Sequence, residues 1–435
     1  MSPFDPQLAR QFAVQVVRRL RDAGFAALWA GGCVRDQLLG VPPKDYDVAT
    51  DAPPEQIRDV FGRRQTLAIG QAFGVITVLG PPGAGQIEVA TFRRDLGYSD
   101  GRRPDQVAFC DAREDALRRD FTINGMFFDP LEARVVDYVG GQEDLERGLV
   151  RAIGDPAARF AEDKLRMLRA VRFAATFHFA LDPDTLTAIQ EHAAEVAVVS
   201  VERISAELRR MLVDRNRVRA VELLRYANLM PVILPELGNL LATTPTDEPT
   251  VAWQTTLAIL RALATASFPV ALAVLVRESF RDSSQGAAGL ERLCRRLKLT
   301  IAEHKETEFL LRHEAAIRAA RRIPWPQLQR ILVQPGAADL VSYGRAVAEV
   351  LDGHLDDIAS AAQRLAQPPE QLNPAPLING DDLRRAGIPV GPAYRRILDG
   401  VRDAQLDGQI QTVQQALDFA SRLAAPGPDR LTTES

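Results

Sequence analysis

Apolar residues recur at helical spacing over residues 6–23, where Leu8, Phe12, Val16 and Leu20 make one stripe, and this pattern predicts an amphipathic helix. The run "FAALWAGG" (25–32) then reads as a short strand ending in a turn, and "VRDQLLG" (34–40) as a helix that starts at that turn. Pro42 and Pro43 break the chain before a strand predicted over 45–49. Strand-like runs return at 73–80, 86–92 and 133–139, with a helix at 54–61 between the early ones. Roughly the first 140 residues therefore form an α/β unit. After Gly154 the alternation disappears, and Ala, Leu and Arg at helical spacing dominate almost to the end. Two polar or proline-rich breaks, 243–250 and 366–376, divide that portion, and "APGPDRLTTES" (425–435) is expected to fray. No repeat of fixed period is visible.

Composition narrows the picture modestly. The 435 residues are 46% apolar and 25% charged, as in ordinary globular proteins of more than one domain. A formal net charge of −4 argues against a chain that grips nucleic acid over its whole surface. Cys33, Cys110 and Cys294 are far apart and odd in number, which predicts a reducing compartment and no disulfide framework. The first twenty residues lack an apolar run of signal-peptide type, and no run approaches membrane-spanning length, so a cytoplasmic protein with no membrane partner is expected.

The candidate chemistry begins at "KDYDVATDA" (44–52). On a strand, Asp45 and Asp47 point to one face, Tyr46 and Val48 to the other. Two carboxylates side by side suit two-metal phosphoryl or nucleotidyl transfer, and magnesium suits a site of few carboxylates completed by phosphate oxygens. Two solvated aspartates would look the same. Upstream, Gly31 and Gly32 sit at the strand-to-helix turn, where backbone amides can approach a phosphate, and Arg35 can add a charged fork. The two features in strand–turn–helix–strand order strengthen each other.

Further on, "RRDFTIN" (118–124) puts Arg118, Arg119, Asp120 and Asn124 at the head of an apolar segment, a pattern that also caps helices with no other role. In "FAEDKLRMLRAVRFAATF" (160–177), Asp163 and Arg166 are three apart on an expected continuous helix, with Arg169 and Arg172 continuing the spacing. A plain ion pair is one reading. The other is base choice: cytosine and adenine each offer an amine donor beside a ring-nitrogen acceptor, complementary to carboxylate plus guanidinium. Uracil and guanine present the opposite pattern.

These segments resemble, in order, the signatures of the class II nucleotidyltransferases, which comprise the CCA-adding enzymes and the bacterial poly(A) polymerases. The resemblance covers about the first 215 residues and then mainly 377–410. It implies an α+β fold: an N-terminal polymerase-beta-like nucleotidyltransferase α/β head (1–140), then an all-α neck (141–215), body (216–365) and tail (377–425). It further implies that Asp45 and Asp47 bind the catalytic metals, magnesium, with Glu88 a candidate third acid. Gly32, Arg35, Arg119 and Asp120 would meet the nucleotide, Asn124 would orient its sugar, Asp163 and Arg166 would read the base, and Arg169 and Arg172 would reach the triphosphate. Glu162 would orient Arg166 or a neighbour. Gly125 stands where the family usually has alanine.

The segment 91–109 reads as a mobile loop of the kind that assists the family's switch from C to A addition. In "VERISAELRRML" (201–212), Arg203 and Glu207 are four apart and expected to pair as a brace. The stretch 281–330 holds eleven Lys/Arg against six Asp/Glu and could follow an RNA backbone, as could a solvated helix face. The "GIPVGP" turn lies in a segment similar to the family's tail, which touches the tRNA elbow. No HD-type phosphohydrolase pattern is visible. The implied activity is template-independent addition of CCA to tRNA from CTP and ATP. Addition of the terminal A alone, or polyadenylation, would share almost every motif. A catalytically idle RNA-binding protein is a further alternative, and the oligomeric state is not legible.

Overall fold

The computed structural model describes residues 5–96, 106–241, 250–280, 286–353 and 355–424. The predicted breaks at 243–249 and the final 425–435 lie outside the described residues. The chain forms two compact units, 1–243 with 295–298, and 244–294 with 299–435.

In the first unit α1 (Pro6–Asp22) starts at a cap in which Asp5 accepts from the amides of Gln7 and Leu8, with proline at the first helical position. Its buried stripe is Ala9, Ala13, Val16, Val17 and Leu20. Leu8 is exposed and Phe12 only half-buried, so the stripe predicted through Leu8 and Phe12 is shifted by one position. The small Ala9 and Ala13 allow close approach to the sheet, and Phe12 is moved to the flank over Gly80.

A seven-stranded sheet carries the unit, with order β3-β4-β5-β2-β1-β8-β9. The strands are β1 (Ala27–Ala30), β2 (Asp47–Thr50), β3 (Thr66–Leu67), β4 (Val75–Leu79), β5 (Gln86–Thr91), β8 (Phe127–Asp129) and β9 (Arg134–Val136). Between β5 and β8 in the chain, β6 (Arg93–Leu96) and β7 (Gln106–Phe109) pair as a separate antiparallel ribbon. All four residues of β1 are buried, as its place between β2 and β8 requires. The strand predicted from residue 45 begins instead at Asp47. Its partner β1 ends at Ala30, opposite Asp47, because Gly31 turns the chain with φ 72°. β8 was missed: three residues inside an apolar run show no alternation. The segment 91–109, expected to be a loop, is a ribbon at both ends; 97–105 lie outside the described residues.

Between β1 and β2 lies α2 (Gly32–Leu38); α3 (Pro54–Phe61), α4 (Ala112–Leu117) and α5 (Gly141–Glu146) complete the head, and α6 (Pro156–Glu162), α7 (Leu165–Thr176), α8 (Pro183–His192), α9 (Val201–Val213) and α10 (Arg217–Tyr226) follow it. The continuous helix expected over 160–177 is broken. Asp163 is extended (φ −145°, ψ 103°) and caps α6, and α7 starts two residues later.

The second unit is helical among the described residues. Helix Phe268–Phe280 is buried from Phe268 through Arg277 and forms its centre. Within that apolar packing Arg277 donates to both oxygens of Glu314, at 2.8 and 2.7 Å, and the Tyr343 hydroxyl donates to Glu314 at 2.8 Å. Burial opposes ionisation of Glu314, but Arg277 and Tyr343 overcome it and hold the carboxyl below its ordinary range. Residues 377–424 pack around a separate apolar cluster of Ile378, Leu383, Ile388, Ile397 and Val401. No helix of the described residues is long and apolar enough to cross a membrane.

Removing the Glu314 carboxylate strands a buried guanidinium. Glu314→Ala is expected to destabilise the second unit by about 3–5 kcal/mol, and Tyr343→Phe by about 1 kcal/mol, read as shifts of the urea midpoint. Because the folded-state pKa is depressed, this contribution is present at neutral pH and lost as pH falls through that depressed value. An unshifted midpoint for Glu314→Ala contradicts the assignment.

Candidate active site

A cleft of about 580 Å³ in the first unit is lined by Gly31, Gly32, Arg35, Asp45, Asp47, Arg118, Arg119, Asp120, Asn124, Asp163, Arg166, Arg169, Arg172 and Phe173. The residues expected to bind the metals or the nucleotide thus meet in one place, although they stretch from Gly32 to Arg172; Glu88 and Glu162 are not among the lining residues. A larger cleft in the second unit, about 750 Å³, contains none of them.

The acid wall comes from β2 and the residues before it. Tyr46 and Val48 are buried, Tyr46 against the Trp29 ring at 4.7 Å, which turns Asp45 and Asp47 the other way. Glu88 lies directly across the parallel β2–β5 pairing from Asp47, on the same face of the sheet. The Asp47 side chain opens onto the cleft, yet protein surrounds it closely. Burial, then the like charges of Asp45 and Glu88, push its carboxyl up to about 6 against the pull of Arg119. Among the described residues Asp45, Asp47 and Glu88 form no ion pair, and no three side chains close into a ready-made metal cage. The donor set fits a divalent cation that arrives with further oxygen ligands: hard carboxylates, crowded and without an ion-pair partner among the described residues.

Gly31 makes the turn above this wall. Its φ of 72° and ψ of −127° are open only to glycine, and a Cβ there would come within 3.1 Å of the Arg119 guanidinium. Cys33, just inside α2, is buried and its thiol is pushed up to about 12, which makes it packing rather than a nucleophile.

The basic wall is built on carboxylates that sequence reasoning mostly overlooked. Asp115, 2% exposed in its side chain, takes Arg118 on one oxygen at 2.7 Å and Arg119 on the other at 2.8 Å. Burial alone would raise this carboxyl; Arg119 and Arg118 hold it below its usual range. The signal was present in the spacing, since Asp115 precedes them by three and four residues. Arg35 lies on the cleft floor, donating to Asp36 at 2.6 Å and to the Asn124 side-chain oxygen at 2.6 Å, with its guanidinium 4.4 Å from the Phe177 ring centroid. Asn124 in turn donates to Asp120 at 3.1 Å. Asp120 is fully engaged: Arg169 donates to it through Nε and Nη2 at 2.9 and 2.6 Å, and the Phe121 amide at 2.8 Å. Asp120 therefore positions Arg169 and Asn124.

The expected Arg203–Glu207 brace does not form. Arg203 grips Asp163 with two bonds, 3.1 and 2.7 Å, and Glu207 takes Arg172 at 2.5 Å and Arg210 at 2.9 Å. Asp163 and Arg166 do not pair with each other either. Arg166 donates to Glu162 at 2.6 Å, as expected of Glu162, and to the carbonyls of Arg159 and Arg118. A carboxylate offers about four acceptor sites and a guanidinium five donors. Arg203 and the Leu165 amide occupy three at Asp163, leaving one on Oδ2; three Arg166 donors are used, leaving two. The pair presents one acceptor and a short row of donors to the cleft.

Two family models match the chain, the poly A polymerase head domain over residues 27–151 and the probable RNA and SrmB-binding site of polymerase A over 178–241. A CCA-adding enzyme of Limosilactobacillus fermentum is 33% identical over 428 residues, 95% of each chain. This chain belongs to the CCA-adding enzyme family. A second family member, from Pediococcus pentosaceus, is 43% identical over 208 residues, 48% of this chain and 51% of its own. The family's fold extends over nearly the whole chain: the Bacillus stearothermophilus CCA-adding enzyme in complex with CTP superposes with a TM-score of 0.74 at 27% identity, covering 95% of this chain and 97% of that one. The Thermotoga maritima CCA-adding enzyme complexed with tRNA shares the fold at a TM-score of 0.67 and 19% identity, over 95% of this chain and 94% of its own.

A divalent cation taken up at Asp47 would have to displace the proton that this carboxyl holds below about pH 6. Its apparent affinity, measured by calorimetry without nucleotide, is expected to fall about tenfold per unit below about pH 6 and to level off above about pH 7. Glu88→Gln removes a like charge and moves that bend to lower pH. In the cation-free protein the sign for stability is the reverse of a paired carboxylate: protonation favours the folded state, so this site adds stability as pH falls from about 6 towards 4. A flat affinity profile from pH 5 to 8 sinks the assignment.

Proposed function

We propose that the chain adds C, C and A to the 3′ end of tRNA from CTP and ATP, without a nucleic acid template, releasing pyrophosphate. The observation that carries this reading is the shared cleft, lined by bare acids and by arginines together with Asp163 and Arg166, which keep unspent hydrogen-bonding groups. Membership in the family supports it along almost the full chain.

In this reading Asp45 and Asp47 hold divalent ions, which we take as Mg2+, and these supply activation of the attacking ribose hydroxyl and charge stabilisation at the leaving pyrophosphate. The chain's own contribution is position. Arg119, Arg169, Arg172 and the floor residue Arg35 surround the triphosphate with guanidinium groups already fixed by carboxylates, so little rearrangement accompanies binding. The remaining Oδ2 site of Asp163 accepts the exocyclic amine of cytosine or adenine, and Arg166 donates to the adjacent ring nitrogen. A uracil or guanine instead sets its carbonyl oxygen against the carboxylate and its ring N–H against the guanidinium. We assign residues 1–140 to the catalytic head, 141–215 to the base-reading neck, 216–365 to the body and 377–425 to the tail. We place this work in the cytoplasm.

The test offers tRNAs ending before CCA, after C and after CC, with single nucleotides and with both. Sequenced products should show CCA on the shortest substrate only with CTP plus ATP. Extension confined to the CC-ending tRNA selects an A-adding enzyme, and long A tails select a polymerase. Among variants, Asp47→Ala should remove transfer of every nucleotide. Asp163→Ala and Arg203→Ala should instead admit UTP or GTP about tenfold more readily relative to CTP, the discrimination one hydrogen bond supplies. Uniform loss with unchanged base preference in both makes them braces.

A further inference from the structure

Phe173 sits on α7 one residue after Arg172 and lines the cleft, though only 6% of it is exposed. Three guanidinium groups approach its ring. The Arg172 guanidinium carbon lies 4.1 Å from the ring centroid, and those of Arg35 and Arg169 each lie 5.3 Å away. The three come from two helices and are tied to three different carboxylates, Glu207, Asp36 and Asp120. The ring itself is wedged: Phe121 meets it edge-on at 5.8 Å and Phe177 stacks at 6.1 Å with a 13° tilt.

We infer that Phe173 is the positioning residue for the phosphate-facing arginines, and that it acts through the negative potential of its ring face. A cation within about 6 Å of a ring centroid is attracted by the ring quadrupole, more strongly where water is excluded. Three cations crowded beside one another repel, and a single carboxylate leaves Arg169 and Arg172 free to swing about one set of bonds. The ring gives these two a second point of attachment and adds to the hold that Asn124 and the Phe177 ring already have on Arg35. With one side bound to an acid and another held against Phe173, the remaining N–H groups are aimed into the cleft. The burial of Arg172 and the like charge of Arg169 both weigh against the Arg172 cation, so the contact acts where it is most needed. This inference rests on the proposed function, in which these arginines face the triphosphate.

The ring's charge can be changed while its shape is nearly kept. Phe173 is replaced in the full chain by 4-fluoro-, 3,5-difluoro- and 3,4,5-trifluorophenylalanine, which drain the ring face stepwise, and Phe173→Leu removes it. Assays use tRNA lacking CCA, CTP, ATP and, as product inhibitor, inorganic pyrophosphate. Expected is a KM for CTP that climbs with each fluorine to about tenfold at three, the scale of several cation–π contacts. The KM for ATP climbs in parallel, pyrophosphate inhibition weakens alongside, and kcat falls far less than KM rises. Phe173→Leu should lie at or beyond the trifluoro value. A KM that does not follow fluorination overturns the inference, as does an effect on one nucleotide only. Arg172→Ala separates the two levels. If it raises both KM values while the fluorinated series is flat, only the role of Phe173 fails; if it leaves them unchanged, the triphosphate-facing reading fails with it.

Discussion

Charge in the cleft is compensated on one wall and left uncompensated on the other, and the rest of the site follows from that asymmetry. Arg35, Arg118, Arg119, Arg166, Arg169 and Arg172 each have a carboxylate partner within 2.8 Å. Such pairs are retained in a partly buried setting only where geometry is good and remaining donors find partners. Their net effect is to fix direction: a guanidinium with one edge bound has fewer ways to point the other. The acid wall has the opposite design. Asp45, Asp47 and Glu88 crowd one face of the sheet, and burial, then that crowding of like charge, lets Asp47 hold its proton to about pH 6. A nucleoside triphosphate with its cations meets both needs at once, negative oxygens for the arginines and positive ions for the acids.

The break between α6 and α7 matters as much as any charge. On a continuous helix, Asp163 and Arg166 would be neighbours on one face and would bond to each other, consuming the groups to which the proposed function gives base choice. The extended backbone at Asp163 prevents that and turns its carboxylate to Arg203 on α9, while Arg166 turns back to Glu162 on α6. Each is thereby rigid without being spent. A small irregularity in local structure converts an ordinary ion pair into two separately aimed hydrogen-bonding edges.

How much of this was legible depended on whether the cause was local. The residues that line the cleft could be found because each lies in a short segment whose order and spacing carry meaning, from Gly32 through Asp45 and Asp47 to Arg172. Asp115 was recoverable by the same logic and was overlooked. The partners of Arg203 and Glu207 were not recoverable: spacing of four suggested that they pair with each other, whereas tertiary packing set α9 against α7 and gave each a partner more than thirty residues away. Local spacing supplies a default that any closer, better-aligned partner overrides. The start of β2 failed similarly, because a strand ends where its neighbour turns away, and that neighbour's turn is set at Gly31. β8 gave no signal because three residues are too few to show a period.

The basic stretch 281–330 illustrates the same limit from the side of charge. Counted along the chain it has an excess of five cations, enough to suggest an RNA-following surface. In space many of those cations already face acids drawn from elsewhere: Arg296 meets Glu236, Lys298 meets Glu202, Arg321 meets Asp356 and Arg330 meets Asp403. Arg318 is shared between Glu314 and Asp352. A linear charge count overstates the field when compensating acids are distant in sequence, as a net charge of −4 requires somewhere. Were an RNA backbone to approach any of these arginines, each would have to give up or share its acid before it met a phosphate.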